Sequence, residues 1–167
     1  MAMNYALAVG GFDQIWCLPC WDHSFGKTLI PFEQRAEMME LAVRACCHPK
    51  VTLARLESVY KTRFTIDLID SLARDYPHHK FTFIIGEDNW RDRERWERWE
   101  QLQQKVEFFV IGREGTNSDR PFSMHLPPIS STEIREMIRS GRTDQAQWLV
   151  PQPVLDYIQN HGLYQER

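Results

Sequence analysis

Short apolar runs along this chain alternate with longer stretches whose apolar residues recur every three or four positions. Ala-rich Asn4 to Val9 reads as the tail of a helix closed by Gly10 and Gly11. Gln14 to Pro19 is a short apolar run ended by proline, the pattern of a buried strand. Pro31 to Cys47 repeats Met38, Leu41, Ala42 and Ala45 at helical spacing, and Val51 to Ala54 gives a second short strand. Phe64 to Tyr76 places Ile66, Ile69, Leu72 and Ala73 on one helical face. Lys80 to Ile85 is the clearest central strand, broken by Gly86, Glu87 and Asp88. In the charged stretch Trp90 to Gln104, the residues Trp96, Trp99 and Leu102 are spaced for one face of a helix. Val106 to Ile111 is the next strand, and a short apolar piece follows around Met124 to Leu126. A helix opening at Ser130 and ended by Gly141, a short helical piece near Trp148, and a Pro-started helix from Pro151 to about Asn160 close the pattern.

Strands and helices alternating in this way predict an α/β fold, a parallel sheet with helices on both faces. In such folds ligands bind beyond the carboxyl ends of the strands, so the loops that begin at Pro19, Gly86 and Gly112 are the ones to inspect.

Composition narrows the partners. A chain of 167 residues, 43% hydrophobic and 26% charged, has the makeup of one folded domain spanning 1–167. Its formal charge of −3 gives no bulk attraction to nucleic acid or to an anionic membrane. No apolar run approaches membrane-spanning length, and the cytoplasm is the expected compartment. Cys17 and Cys20, followed by Cys46, Cys47 and His48, invite a zinc or redox reading. Cys17 lies within an apolar run and Cys46 continues the apolar face of its helix, so small buried thiols are expected instead of a metal site.

The loops carry more specific chemistry. Ser130 and Glu133 form a capping-box pattern, and the first turn behind it presents Ser131 and Thr132 with Arg135 one turn on. Backbone amides, hydroxyls, the positive end of the helix and a guanidinium together suit a phosphate. Lys27 can add a mobile cation and His23 a proton-switching group. Arg35 stands in the first turns of its helix, where the dipole does not favour a cation, so an anionic partner is expected; Glu33 or Glu37 could serve. Gly86 permits close approach of the backbone to a ligand, and Asp88 can accept from ribose hydroxyls or cap the following helix. Trp96 and Trp99 suit either a core or a stacking surface.

In this order, the segments IWCLPCWDHSFGK, PFEQRAEMMELAV, RFTIDLIDSL, FIIGEDNW, FFVIGRE, PISSTEIREMIRSGR and WLVPQPVLDYIQNHGLY resemble the bacterial nicotinate-nucleotide adenylyltransferases of the nucleotidylyltransferase superfamily. The resemblance covers nearly the whole chain. It implies a Rossmann-like domain that transfers an adenylyl group from ATP to nicotinate (or nicotinamide) mononucleotide, giving the dinucleotide and pyrophosphate, with Mg2+. It further implies that Ser130, Ser131, Thr132 and Arg135 hold ATP phosphates, helped by Lys27, with Arg113 near the phosphate path. Gly86 and Asp88 would face the adenosine ribose. Thr65 and Trp96 would contact the mononucleotide, Trp96 stacking on its pyridine ring. ATP and a pyridine mononucleotide are the implied partners, and a homo-oligomer is compatible with the sequence.

Members of that family open with a strand and a Gly-rich turn of the GGxFDPxHxGH type. Gly10, Gly11, Phe12 and Asp13 mimic the turn, but Gln14 stands in place of the proline and no H-x-G-H follows. The family's first strand and its two histidines are thus absent here, and a start upstream of Met1 is expected. Catalytic residues are left unassigned apart from supporting roles for Lys27 and Arg135. The competing expectation is a relative that binds ATP without turnover; a Cys/His metal module is a third.

Overall fold

The computed structural model describes residues 1–22, 29–113 and 125–165, with positions 113 and 125 given by backbone alone. His23 and Lys27 lie outside the described residues. Helix α1 (Ala2–Gly10) leads into strand β1 (Ile15–Cys17), followed by α2 (Phe32–Cys46) and β2 (Val51–Leu53). Then come α3 (Leu56–Tyr60), α4 (Thr65–Asp75), β3 (Thr82–Gly86), α5 (Glu87–Arg91), a 3-10 turn at Arg93–Arg95 and α6 (Trp99–Lys105). Strands β4 (Glu107–Arg113) and β5 (His125–Leu126) precede α7 (Ser131–Arg139), α8 (Thr143–Ala146) and α9 (Gln152–Asn160).

The strand pairings among the described residues are parallel, as the alternation predicts. Ile15 pairs with Val51 in one sheet; Thr82 pairs with Glu107, and Gly112 with His125, in the other. The strand orders are β1-β2 and β3-β4-β5, so β1 and β3 are not joined by a ladder. Side chains nevertheless bring the two sheets together on both faces. Ile15, Val51, Ile84 and Phe109 pack with Ala6 of α1 and Val43 of α2. On the other face Trp16, Phe83 and Phe108 pack against Ile66, Leu68, Ile69 and Leu72 of α4 and Leu102 of α6. Adjacent strand residues point to opposite sides, so the sheets are covered on both faces, the arrangement parallel sheets require. A third cluster joins α7, α8 and α9 to α2 through Ile138, Ala146, Leu155 and Met38.

Three expectations need correction. Trp90 to Gln104 is not one helix: α5 and the 3-10 turn stop at an extended Trp96 (φ −77, ψ 143), and α6 starts after Arg98 in the left-handed region (φ 51). The reason is aromatic packing. In an unbroken helix Trp90 and Trp99 would stand about 13 Å apart along the axis, whereas their rings lie 5.7 Å apart, and both rest against Phe108. Near Trp148 the helical piece sits earlier, at Thr143–Ala146, and Trp148 is exposed because Ala146 is the residue that turns inward. The third concerns the thiols. Cys17 and Cys46 are half-buried, while Cys20 and Cys47 are exposed. Ala36 and Val43, not Cys46, are the buried side chains of α2.

Leu102 is fully buried against α4. Leu102→Ala should cost about 2–5 kcal/mol by urea denaturation, through lost transfer energy and the cavity left behind.

Candidate functional site

Gly86 pairs with Ile111 at the carboxyl end of β3, and Arg113 pairs with Leu126 at the ends of β4 and β5. All three strands run the same way, so Gly86, the backbone of Arg113 and the segment leading into α7 share one end of the sheet. The Asp88 carboxylate turns back over Gly86: a Cβ there would lie 2.5 Å from its Oδ1 and oblige that side chain to move. Asp88 is exposed in the first turn of α5. Its neighbour Glu87 is only 2% exposed and lies 3.5 Å from an Arg91 guanidinium nitrogen. This buried carboxylate is not among the site residues expected from the sequence. The signal was its place two residues beyond inward-facing Ile85.

The capping box forms as the Ser130–Glu133 spacing predicts. The Glu133 backbone N–H donates to Ser130 Oγ at 3.1 Å, and the Ser130 N–H donates to Glu133 Oε2 at 3.0 Å. The cap leaves Ser131 and Thr132 exposed in the first turn. Arg135 is half-buried one turn on, its Nη2 donating to Thr132 Oγ1 at 3.3 Å and its Cζ 6.0 Å from the Tyr164 ring centre. Amides, hydroxyls and guanidinium thus meet at one helix end, at the same end of the sheet as Gly86.

Arg35, near the start of α2, forms no ion pair with Glu33 or Glu37, though its charge acts to lower the Glu57 carboxyl. It donates to the carbonyl oxygens of Ile30 at 3.0 Å, of Cys20 and of Trp21 at 3.4 Å, tying together both ends of the segment that contains Lys27. Glu33 and Glu37 pair with Arg55 instead. Glu57 completes the neck by accepting the Trp21 N–H at 2.8 Å. Burial raises the Glu57 carboxyl above its usual range, opposed by the hydrogen bonds from Trp21 and Cys20. Partial desolvation, then the Glu57 carboxylate, push the Cys20 thiol up to about 11. Neither Arg35's carbonyl partners nor the role of Glu57 had a signature in the sequence, and the short helix α3 that carries Glu57 had no apolar period to betray it.

Thr65 is half-buried at the first position of α4, beside Phe64 and Ile66 of the aromatic face. Trp96 is half-buried on that same face, with ring contacts of 6.1 Å to Phe83 and 6.2 Å to Phe108, both near-perpendicular. These two residues therefore border one cluster, while α7 belongs to another, which packs on α2.

Two surface clefts of about 470 and 430 Å³ open elsewhere. One lies between the C-terminal part of α2 and β2, the other beside the beginning of β3, and neither is lined by the residues above. Among the described residues no group of three or more His, Cys, Asp or Glu is placed to hold a metal ion, and no helix is long and apolar enough to cross a membrane.

A covered parallel sheet with polar groups gathered past its strand ends defines a nucleotide-site architecture, and residues 2–137 match the family described as cytidylyltransferase-like. The chain belongs to that family. Within it, the similarity expected from the motifs is borne out. The chain is 40% identical over 169 residues to a protein of Anaeromyxobacter sp. (strain K) named probable nicotinate-nucleotide adenylyltransferase, the match covering 98% of this chain and 87% of that protein. The nicotinate-nucleotide adenylyltransferase of Bacillus subtilis is 27% identical, with 97% of this chain and 88% of that protein matched. The fold is similar to that of the Plasmodium falciparum nicotinic acid mononucleotide adenylyltransferase complexed with NaAD, at a TM-score of 0.80 and 23% identity over 98% of this chain and 90% of that one.

At pH 8 a thiol with a pKa of about 11 is ionised in about one molecule in a thousand. Cys20 should therefore react slowly with iodoacetamide despite its exposure, and Glu57→Gln should speed the reaction; peptide mass spectrometry reads both.

Proposed function

We propose that this chain transfers the adenylyl group of ATP to nicotinate mononucleotide, or to its nicotinamide counterpart, forming the pyridine dinucleotide and pyrophosphate in NAD biosynthesis. The observation that carries the reading is the first turn of α7. It presents exposed Ser131 and Thr132 with Arg135, which has no carboxylate partner among the described residues, at the strand ends that Gly86 and Asp88 share. Relatives at 40% identity bearing the adenylyltransferase name support it.

In this reading, Ser130, Ser131, Thr132 and Arg135 hold the ATP phosphates through helix amides, hydroxyls and a charge-assisted bond. Lys27 and Arg113 add positive charge along the phosphate path. Asp88 accepts from the adenosine ribose, with Gly86 keeping the strand end low enough for the nucleoside. Thr65 and Trp96 receive the mononucleotide, the indole offering its face to the pyridine ring. A phosphate oxygen of the mononucleotide attacks the α-phosphorus of ATP in line. The new P–O bond forms as the bond to the bridging oxygen breaks, and that oxygen leaves with pyrophosphate. The protein's part is to align the two phosphates and to neutralise the charge that develops on the leaving group. Mg2+ enters as the ATP complex, since a magnesium ion bound through substrate phosphates needs few protein ligands. The work belongs to the cytoplasm, by one domain spanning 1–167.

Pyrophosphate release from ATP with nicotinate mononucleotide tests the reading, with ATP calorimetry beside it. Arg135→Ala should lower kcat/KM about 10- to 100-fold, the range for a lost charged hydrogen bond. Heat of ATP binding without pyrophosphate release would replace the proposal with a binding protein lacking turnover.

A further inference from the structure

The C-terminal motif ending in Gly162, Leu163 and Tyr164 has no role in the site as assembled so far, yet the chain constrains it tightly. The Leu163 N–H donates to the Ile158 carbonyl at 2.9 Å, and the side chain is buried with Ile138 of α7 and Val154, Leu155 and Ile158 of α9. Gly162 makes the reversal at φ +58. Tyr164 follows in the same left-handed region, at φ 61, a conformation unfavourable for a bulky side chain and retained only when its surroundings dictate it. The Leu163 anchor on one side and the packing of the ring against the α7–α9 cluster on the other supply that constraint.

The result is an aromatic face beside the phosphate-site cation. Arg135 Cζ lies 6.0 Å from the centre of the Tyr164 ring, while its Nη2 reaches Thr132 Oγ1. Among the described residues no carboxylate lies within ion-pair distance of Arg135, so the ring and Thr132 are what orient it. Partial burial raises the phenol's pKa against the opposing charges of Arg135 and Arg35. Tyr164 is thus neutral at neutral pH and offers a π face instead of a counter-charge.

We propose that Tyr164 is a positioning residue for phosphate binding: its ring holds the Arg135 guanidinium against the first turn of α7, in line with the exposed hydroxyls. A neutral platform suits this task better than a carboxylate would, because it fixes the cation without neutralising it before the anion arrives. The inference rests on α7 being the phosphate end of the site.

The test is calorimetric titration of the full chain with inorganic tripolyphosphate and, separately, with nicotinate mononucleotide. Tyr164→Phe should bind tripolyphosphate within about twofold of the unsubstituted protein, since the ring is kept. Tyr164→Leu should weaken it about 3- to 30-fold, the range of a cation–π contact, and leave mononucleotide affinity unchanged. Adding Tyr164→Leu to Arg135→Ala should cost nothing further, because the ring acts through that arginine. Unchanged tripolyphosphate affinity in Tyr164→Leu beside a loss in Arg135→Ala would overturn the proposal, as would full additivity in the double variant. Wild-type affinity in Arg135→Ala would instead overturn the assignment of α7 to phosphate, and this inference with it. Should Tyr164→Leu fail to fold, Tyr164→pentafluorophenylalanine keeps the ring's size and reverses its quadrupole. Loss of tripolyphosphate affinity there supports the platform, and retained affinity refutes it.

Discussion

Phe108 and Phe109, neighbours on β4, point to opposite faces of the sheet, and each organises one side of the molecule. Phe109 meets Tyr5 and Phe12, whose rings lie 6.1 and 5.5 Å away, and so seats the N-terminal helix. Phe108 is ringed by Phe83, Trp90, Trp96 and Trp99. Large rings thus cover both faces of β4. The elements that carry the candidate site hang from it: β3 with Gly86 on one edge, β5 and the approach to α7 on the other. The approach to α7 is therefore set by apolar burial some residues away, not by the polar groups at the helix's own end.

The same packing explains what could be read from the sequence. The strands and most helices announce themselves because period and element agree, as in α4, where Ile66, Leu68, Ile69 and Leu72 all turn inward. The capping box was legible because Ser130 and Glu133 satisfy one another within a single turn. Trp90 to Gln104 was misread because its helical spacing is real but local. The partners that break the helix, Phe83 and Phe108, belong to strands on either side of it in the chain. The carbonyl partners of Arg35 are illegible for a similar reason. Carbonyl oxygens leave no trace in side-chain chemistry, and the acids beside it were already engaged by Arg55 from a different element.

Polar groups divide between two tasks. Surface ion pairs such as Arg44 with Glu40 and Arg74 with Asp75 are exposed, and pairs of this kind add little to stability. Arg35 and Glu57 act differently. They satisfy backbone groups of a loop neck, which would otherwise have to remain hydrated, and so set the path of the chain after β1. Arg135 stands apart from both, held by a hydroxyl and an aromatic face. Charge that fixes a loop path and charge held only by a hydroxyl and a ring are thus carried by different arginines.

The parallel pairings also govern how the chain reaches this state. Ile15 meets Val51 and Thr82 meets Glu107, so each of these ladders must wait for a long intervening segment to close upon itself. Loop closure has to be met before any sheet hydrogen bond repays it, and such high contact order slows the search for the native arrangement relative to a helical bundle of equal length. Until β3 and β4 zip together, Phe108 and Phe109 have no faces to be packed between, and both rings stay exposed to solvent.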